Sequence, residues 1–541
     1  MKKLIAKLGL LVALMSATAG CSLLDIEPTN VILLEDFYKT EKDIDCALNG
    51  VYSTLASTNL YGGNMLARMG LSADIGYEAY STDEGSVGYY DVVTTDPKIN
   101  GYWKELYAGI NRANMLLENL DGAEMEDELK RERVRSEARF LRAYFHFMLT
   151  TRFGDIPVVM ESPKSCALAD LQVPQTKQRE VYLKIIEEMT ECVSGLGTAL
   201  EVESAGRISQ TAAYGILARV CLYMAGKPIE EQGMYARAKA YAKRVIDSGL
   251  HALNPSYEQV FINLIQDKYD IQESMWEVEF WGNNEGTYTS TAGMVGRNNG
   301  ISVSTGNTKH DELGYSIGAL RATSYYITLF ESSDPNPSDA LKDSRYEWTI
   351  APFSYKSDGT QESKTSNYWI RYCGKFRRSY ELGTKGVNYT PINWPLLRYS
   401  DVLLMYAEAV AADDNSTDTD IAVAGELLNQ VRRRAYGQAI NTPNENIDAE
   451  VGDRYALYQA ACDERPLELG FELQRKDDLI RWGLFTTNMK SIYPTIPSGF
   501  TSSYYVAARL YFSNVSARDV LWPIPYTEMS LNKLLEQNNG W

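Results

Sequence analysis

The chain has 541 residues, and 45% of them are hydrophobic, so it is long enough to bury a large core. It carries 53 lysines and arginines against 71 aspartates and glutamates, which gives a formal net charge of −18. This acidity excludes the basic face that nucleic-acid binding requires, so we expect no nucleic-acid partner. The 37 tyrosines and 9 tryptophans offer flat amphipathic surfaces, which suit both protein interfaces and sugar rings.

The N-terminus has the features of a secreted, lipid-anchored protein. A basic start, an apolar run over residues 8–15 and small residues over 16–20 are typical of a signal peptide, which we assign to residues 1–20. The apolar run is too short to span a bilayer. Cys21 follows directly and resembles the acylated cysteine of a bacterial lipobox, so residues 21–40 are expected to form a lipid anchor and tether. The alternative is a plain secreted protein with a free Cys21.

The region of residues 41–250 has apolar residues that recur at helical spacing. The spacing predicts helices over residues 41–56, 103–120, 126–152, 180–196, 209–225 and 235–248. The last two of these resemble a tetratricopeptide (TPR) unit, because small residues such as Gly215 allow two helices to approach closely. A later pair at residues 397–411 and 421–436 has the same character. The predicted fold is therefore mainly α, with irregular TPR-like helix pairs that form a right-handed superhelical scaffold.

Two regions rich in aromatic residues interrupt the predicted helices. Glycines and tyrosines are interleaved along residues 60–100, and residues 252–395 are dense in Asn, Gly, Ser, Thr and aromatic residues. Within the second region, residues 275–281 alternate like a short strand. The alternation places Trp276, Val278 and Phe280 on one face and Glu277, Glu279 and Trp281 on the other. Long loops of this kind in a compact protein are either functional or disordered.

Sugar binding requires an aromatic face for the C–H side of the ring and planar polar groups for its hydroxyls. Loops on a rigid helical scaffold can supply both. The candidate ligand-binding residues are Tyr80, Tyr89 and Tyr90 from the first loop region, Trp281, Asn283 and Tyr288 from the second, and, with weaker support, Trp348, Trp369 and Arg371. For each of them the alternative is a role in packing. We expect one shallow site to which both loop regions contribute.

Residue patterns typical of catalysis or metal binding are absent from the sequence. Histidine occurs only at positions 146, 251 and 310, and there is no zinc-protease, serine-hydrolase or nucleotide-binding motif. We predict no catalytic residue, no metal site and no cofactor. A two-carboxylate glycosidase stays open because acidic residues are abundant, as does a calcium site at Asp91 or Asp96. Six cysteines follow Cys21 without a C-x-x-C pair, so free thiols are expected.

The stretch DERPLELGFELQRKDDLIRWG, residues 463–483, combines an apolar face with an acidic and basic one. Its spacing predicts one helix over residues 466–483, with the proline in the first turn and a glycine at the end. Glu468 and Glu472 would share one face of this helix, with Arg475 within ion-pair reach. We interpret the stretch as a central structural helix with many partners, and not as a catalytic element.

The same stretch resembles the C-terminal signature of the SusD/RagB family, the surface glycan-binding lipoproteins of Bacteroidetes nutrient-uptake systems. It keeps the family residues Glu464, Arg465, Glu468, Leu469, Phe471, Glu472, Arg475, Asp478, Leu479, Arg481, Trp482 and Gly483. It departs at Pro466, at Leu473, and at Lys476 and Asp477, where a bulky apolar pair is usual. The leader, the later helix pair and the C-terminal QNNG sequence also resemble the family.

The resemblance implies a non-catalytic lipoprotein of the outer membrane that binds glycans and delivers them to a SusC-like TonB-dependent transporter. It implies one compact unit, with an N-terminal SusD-like helical region at residues 41–250 and a C-terminal SusD/RagB region at residues 251–541. The latter would consist of the loop-rich part 252–395, a helical part 396–483 and a C-terminal tail. The alternatives are a lipoprotein glycosidase, a peptide-binding relative and a TPR scaffold that binds only protein.

Overall fold

The computed structural model describes residues 37–79, 85–165, 167–284, 291–333 and 342–541. The predicted signal peptide and Cys21 lie outside the described residues, as do two of the ligand-binding candidates, Tyr80 and Tyr288.

The chain is mainly helical, as predicted. The helices of the N-terminal part are α1 (Glu41–Tyr52), α2 (Asn64–Ala67), α3 (Pro97–Asn119), α4 (Glu128–Phe153), α5 (Gln178–Cys192), α6 (Ala199–Val202), α7 (Gln210–Ala225) and α8 (Met234–Asp247). Helix α4 packs on both α3 and α5, and α7 packs along α8. Polar caps fix where several of them begin: Thr40 forms a capping box at the start of α1, and the Asp96 carboxylate accepts two backbone N–H groups at the start of α3.

The C-terminal part continues the helical array. Its helices are α9 (Tyr257–Ile265), α10 (Val295–Asn299), α11 (His310–Leu313), α12 (Ser324–Ser333), α13 (Ser344–Thr349), α14 (Tyr399–Ala412), α15 (Asp418–Ala435), α16 (Arg454–Leu469), α17 (Arg475–Arg481), α18 (Phe485–Ile492), α19 (Ser503–Asn514) and α20 (Tyr526–Leu531). Helix α14 packs against α8, α15 and α16. It therefore joins the helix pairs of the N-terminal part to those of the C-terminal part, and nearly all its side chains are buried.

Short strands come mainly from the two loop regions. They are β1 (Gly76–Glu78), β2 (Ser274–Val278), β3 (Leu320–Ala322), β4 (Ile350–Ala351), β5 (Phe353–Tyr355), β6 (Gln361–Ser363), β7 (Tyr372–Cys373) and β8 (Trp394–Arg398). One sheet has the order β1-β3-β7-β4, and β2 pairs with β8 while β5 pairs with β6. All pairings are antiparallel, and Gly76 of β1 lies opposite Ala322 of β3. The two loop regions thus meet in a shared sheet.

One continuous core contains buried apolar side chains from Ile44 to Leu535. The predicted alternation at residues 275–281 is confirmed on its apolar side, since Trp276, Val278 and Phe280 are all buried. Gly215 of α7 also allows a close approach, but to a different partner from the predicted one. A Cβ at this position would lie 2.5 Å from the Leu397 side chain of β8.

The prediction of one helix over residues 466–483 is wrong. Helix α16 contains Pro466 near its C-terminal end, and α17 begins only at Arg475. Between them, Phe471 and Leu473 both have φ of 65°, a left-handed conformation that turns the chain. The turn places the Phe471 ring edge-on to the buried Tyr326 ring, with the centroids 5.2 Å apart. Core packing has therefore overridden helical periodicity here.

The structural interpretation of this stretch agrees with its contacts, which form a network of buried ion pairs. The Glu468 carboxylate is fully buried and accepts hydrogen bonds from Arg398 at 2.8 Å, Arg434 at 2.7 Å and Arg345 at 3.3 Å. Burial alone would raise the pKa of Glu468, but these three guanidinium groups lower it well below its ordinary value.

The network extends from Glu468 into distant parts of the chain. Glu472 pairs with Arg398 and with the buried Lys375. Further buried pairs are Arg475 with Asp74, Arg465 with Asp401 and Asp478, Arg481 with Glu408, and Arg152 with Asp477. Asp74 belongs to the first loop region and Arg152 to α4, so the stretch fixes both to the C-terminal part, and it binds α14 within that part.

We predict that Glu468→Gln destabilises the protein by about 3 to 5 kcal/mol, because removal of one charge leaves three buried guanidinium groups without full compensation. Denaturant titration at pH 7 measures the change. Glu126→Gln is the matched control, since Glu126 is exposed and should change stability by less than about 0.5 kcal/mol. Equal stability of the two variants would contradict the structural role of the network.

Lys476 is the exception to this pairing. Its side chain is buried, and its Nζ lies 4.9 Å from the ring centroid of Tyr90, 5.1 Å from Phe485 and 6.0 Å from Trp522. Among the residues that the structure describes, none forms a salt bridge with it. Burial, followed by the nearby Arg152 charge, lowers the pKa of Lys476 to about 7. This is the position at which the family pattern has an apolar residue.

We therefore predict that Lys476→Met stabilises the protein at pH 7. The unfolded lysine has a pKa of about 10.4, so between pH 7 and 10 the unfolded parent binds more protons than the folded parent. The stability of the parent should then rise with pH relative to that of the variant. In thermal melts, the difference between the melting temperatures of the variant and the parent should decrease towards pH 10. Lys490→Met, at an exposed lysine, is the control. A variant that melts below the parent at pH 7 would contradict this account.

Candidate functional site

The structure corrects the prediction for four aromatic candidates. Tyr89, Tyr90, Trp348 and Trp369 are only 1 to 3% exposed, so none presents a ring face to solvent. Tyr90 shows the reason, since its ring packs edge-on against Tyr511 with centroids 4.9 Å apart. These side chains build the core beneath the loops. A sugar could reach them only if that core opened.

Arg371 is also a packing residue in this structure. Its guanidinium donates to the Tyr346 hydroxyl at 2.9 Å and to the Thr365 carbonyl at 3.0 Å, and it lies over the Tyr368 ring. Because the Arg371 side chain is buried and hydrogen-bonded to protein groups, it is not available to a sugar hydroxyl. The loop regions therefore meet through their buried residues, and the candidates do not converge on one surface.

Trp281 is the exception among the candidates. All nine tryptophans lie within the described residues, and Trp281, at 55%, is the one that is classed as exposed. Its backbone is held on two sides. The Trp281 N–H donates to the Thr291 carbonyl at 3.2 Å, and the preceding Phe280 N–H donates to Asn393 Oδ1 at 2.8 Å. Phe280 is buried in the core, whereas the next residue, Trp281, points towards solvent.

A cavity of about 260 Å³ opens beside the Trp281 side chain. It is lined by Ile265, Gln266, Asp267, Trp281, Gly282, Asn283, Leu382, Gly383, Thr384 and Pro391. Three segments contribute: the C-terminal end of α9, the loop after β2, and the loop before β8. The cavity thus combines one exposed indole with two amides, a carboxylate and a hydroxyl.

Hydrogen bonds position the polar side chains of this cavity. Asn283 is buried and donates from Nδ2 to the Thr384 carbonyl at 3.2 Å, which ties two of the lining segments together. Asp267 is exposed, and its Oδ1 accepts from Asn393 Nδ2 at 3.0 Å. Gln266 donates from Nε2 to the Tyr380 carbonyl at 3.2 Å. The result is an exposed aromatic face beside planar polar groups that are already held in place.

Asn393 is the common partner behind the cavity. Besides Asp267 and the Phe280 N–H, it binds Glu277, whose carboxylate accepts from Nδ2 at 3.1 Å. Glu277 is 3% exposed, and burial raises its pKa to about 8. Sequence reasoning missed Asp267 and Asn393, because only the pairing of β2 with β8 brings their segments together. The alternation at 275–281 did place Glu277 and Trp281 on the same face.

Two larger cavities are poorer matches to a sugar. One of about 440 Å³ is lined by Phe330 and Tyr346, but these rings stack on each other at 5.1 Å and so occupy one another's faces. The other, of about 350 Å³, is lined largely by apolar side chains such as Leu171 and Leu531, and its Trp103 ring is buried. Neither offers an exposed indole beside planar polar groups.

The groups considered for catalysis or metal binding have structural partners. Asp96 caps α3, and Asp91 accepts from the Gly85 N–H at 3.1 Å. His146 is buried, accepts from the Val159 N–H at 3.2 Å, and has its pKa lowered to about 4 by burial. Within the described part of the chain, no group of three His, Cys, Asp or Glu side chains is placed to hold a metal ion.

The five cysteines that the structure describes are unbridged, which confirms free thiols at Cys46, Cys192, Cys221, Cys373 and Cys462. Over the described ranges, none of the helices has the length and apolar character needed to cross a bilayer.

Two family models match the chain in complementary parts. Residues 272–541 match a model described as "SusD family", and residues 23–222 match one described as "Starch-binding associating with outer membrane". Together they span most of the helical array and two of the three segments that line the Trp281 cavity. The third segment, which carries Asp267, lies between the two matched ranges.

Individual relatives are similar over most of their length. SusD-like protein P25 of Formosa agariphila is 24% identical, with 96% of each chain covered. Starch-binding protein SusD of Bacteroides thetaiotaomicron is 24% identical over 80% of this chain and 76% of its own. Among solved structures, a SusD homolog from Bacteroides thetaiotaomicron has a TM-score of 0.82 at 24% identity, covering 94% of this chain and 98% of its own. A laminarin-binding SusD-like protein has a TM-score of 0.68 at 22% identity, covering 93% of this chain and 100% of its own.

Proposed function

Since this chain belongs to the SusD/RagB family, we propose that it is a cell-surface lipoprotein that binds oligo- or polysaccharide without catalysis. The bound glycan would be delivered to a SusC-like TonB-dependent transporter in the outer membrane. Support for a glycan ligand comes from relatives described as binding starch and laminarin. The description of the N-terminal family model supports the location at the outer membrane.

The observation that carries the proposal is the exposed indole of Trp281 beside the polar groups of its cavity. A pyranose ring has an apolar C–H face that stacks on an indole, while its hydroxyls need planar partners such as Asn283 and Asp267. Because the Trp281 ring is more than half exposed, a sugar stacked on it keeps much of its hydration. We expect dissociation constants between about 1 µM and 1 mM, roughly −8 to −4 kcal/mol.

A glycosidase is the alternative that the local carboxylates make worth testing. Asp267 is exposed, and Glu277 has the raised pKa that a general acid needs. Glu277, however, is buried behind Asn393 and does not line the cavity, so it has no direct path for a proton to a sugar bound there. We therefore propose capture and not hydrolysis. A peptide ligand is less favoured, because the described lining of this cavity pairs an exposed indole with planar polar groups, the combination that suits a sugar ring.

The first test is calorimetry on Trp281→Ala with the glycan that the parent binds. Loss of a stacking ring should cost on the order of 1 to 3 kcal/mol, enough to bring a weak interaction below detection. The melting temperature should stay near that of the parent, because the ring is exposed and adds little to the core.

Tyr455→Ala is the matched control, since Tyr455 is an exposed aromatic residue outside the cavity and should bind as the parent does. Unchanged affinity of Trp281→Ala would refute the proposed site. The same samples should be analysed for shortened glycans. Products that disappear in Glu277→Gln would favour the glycosidase.

The second test concerns the anchor. Cys21 lies outside the described residues, so its acylation stays a prediction. We expect Cys21→Ala to move the protein from the membrane fraction to the soluble fraction, because stable anchoring depends on acyl chains. Cys46→Ala, at an exposed free thiol, should leave the distribution unchanged. If Cys21→Ala stays in the membrane fraction as fully as the parent, another feature holds the protein there.

A further inference from the structure

Resting on the proposed function, we infer that the Trp281 cavity selects uncharged glycans and that Asp267 is the residue that rejects anionic ones. Carboxylated and sulfated sugars share ring shape and hydroxyl pattern with neutral sugars. Stacking on Trp281 therefore cannot distinguish the two classes. Discrimination has to come from the charge that the cavity presents.

Asp267 is the one ionisable side chain among the described residues that line the cavity. Its carboxylate is exposed and held in place, because Oδ1 accepts from Asn393 Nδ2 at 3.0 Å. No described residue donates a hydrogen bond to Oδ2 or forms a salt bridge with Asp267. One oxygen is thus fixed by the protein, and the other is left to accept a sugar hydroxyl. A carboxylate in this position strengthens that hydrogen bond.

Carboxylates and sulfates are bound by arginine forks or lysine ammonium groups. Neither residue type is found among the described residues that line the cavity. The neighbouring Lys268 directs its Nζ to Gln266 Oε1 at 2.7 Å. Lys385 follows the lining residue Thr384 but is not itself among the described lining residues, and its side chain lies beside Gly314. Lys268 is thus engaged with Gln266 at the edge of the cavity, and a sugar carboxylate that contacts the described lining residues would meet the Asp267 carboxylate and no lining cation.

A second acidic residue, Glu279, lies two positions before Trp281 in the sequence. Glu279 is exposed and accepts from the Tyr269 hydroxyl. A sugar carboxylate about 6 Å from a protein carboxylate at the surface is repelled enough to lower its association constant about tenfold. The repulsion is screened by salt, so it should weaken at high ionic strength.

The test uses matched glycan pairs. Laminarin, soluble starch and mannan are presented to the parent protein by affinity electrophoresis and calorimetry, each beside a form whose primary alcohols have been oxidised to carboxylates. Polygalacturonate and chondroitin sulfate serve as fully anionic probes. We expect the parent to bind at least one neutral glycan, to bind its oxidised form about tenfold or more weakly, and to bind neither polyanion. The ratio of the affinity for the neutral glycan to that for its oxidised form should decrease as NaCl is raised from 0.05 M to 0.5 M.

In Asp267→Asn, the affinities for the neutral and the oxidised glycan should lie within about threefold of each other. Glu126→Gln makes the same change of charge at an exposed position outside the cavity, and it should keep the affinity ratio of the parent. Equal binding of both forms by the parent, still abolished by Trp281→Ala, would overturn the selectivity and leave glycan binding intact. An unchanged ratio in Asp267→Asn would remove Asp267 as its cause. Absence of binding to every probe would overturn the proposed function, and the selectivity with it.

Discussion

The structure depends on the requirement that a buried charge has a partner. Glu468 and Glu472 are buried at the junction of α16 and α17, and the Arg398 guanidinium binds both. An ionised carboxylate in a low-dielectric interior is tolerated only when opposite charges and hydrogen bonds surround it. Because the partners come from parts of the chain far apart in sequence, the core forms only when those parts are assembled together. The charged residues of the family signature are therefore engaged in ion pairs that hold the core together.

Strand β8 connects the buried ion pairs to the candidate site. Strand β8 ends at Arg398, in the centre of the ion-pair network, and begins directly after Asn393, behind the cavity. Strand β2 pairs with β8, with Val278 opposite Trp394, and leads into Phe280 and Trp281. The exposed indole thus projects from a short ribbon whose far end is fixed by buried charges. A rigid support of this kind holds a binding residue more precisely than a long loop does.

Aromatic residues serve two purposes in this chain, and the sequence does not separate them. Tyr90, Trp348 and Trp369 come from loop-like segments with the same composition as the segment around Trp281, yet all three are buried. The chemistry that suits a sugar ring, a flat and polarisable apolar face, also suits a core. Lys476 makes the converse point, since a residue expected at the surface is enclosed by aromatic rings.

Local periodicity determined much of the fold from the sequence alone. Most of the predicted helices begin and end within a few residues of their predicted positions, and the strand at 275–281 has the predicted apolar face. The signature around Glu468 identified the family, because it depends on residue type and spacing within one stretch. Only the tertiary structure decided that the predicted helix is interrupted between α16 and α17, that Trp281 is exposed, and that Asp267 lies beside Trp281 in the cavity with Asn393 bound to it. Burial and proximity depend on what packs against a residue from elsewhere in the chain, and spacing along the sequence does not contain that information.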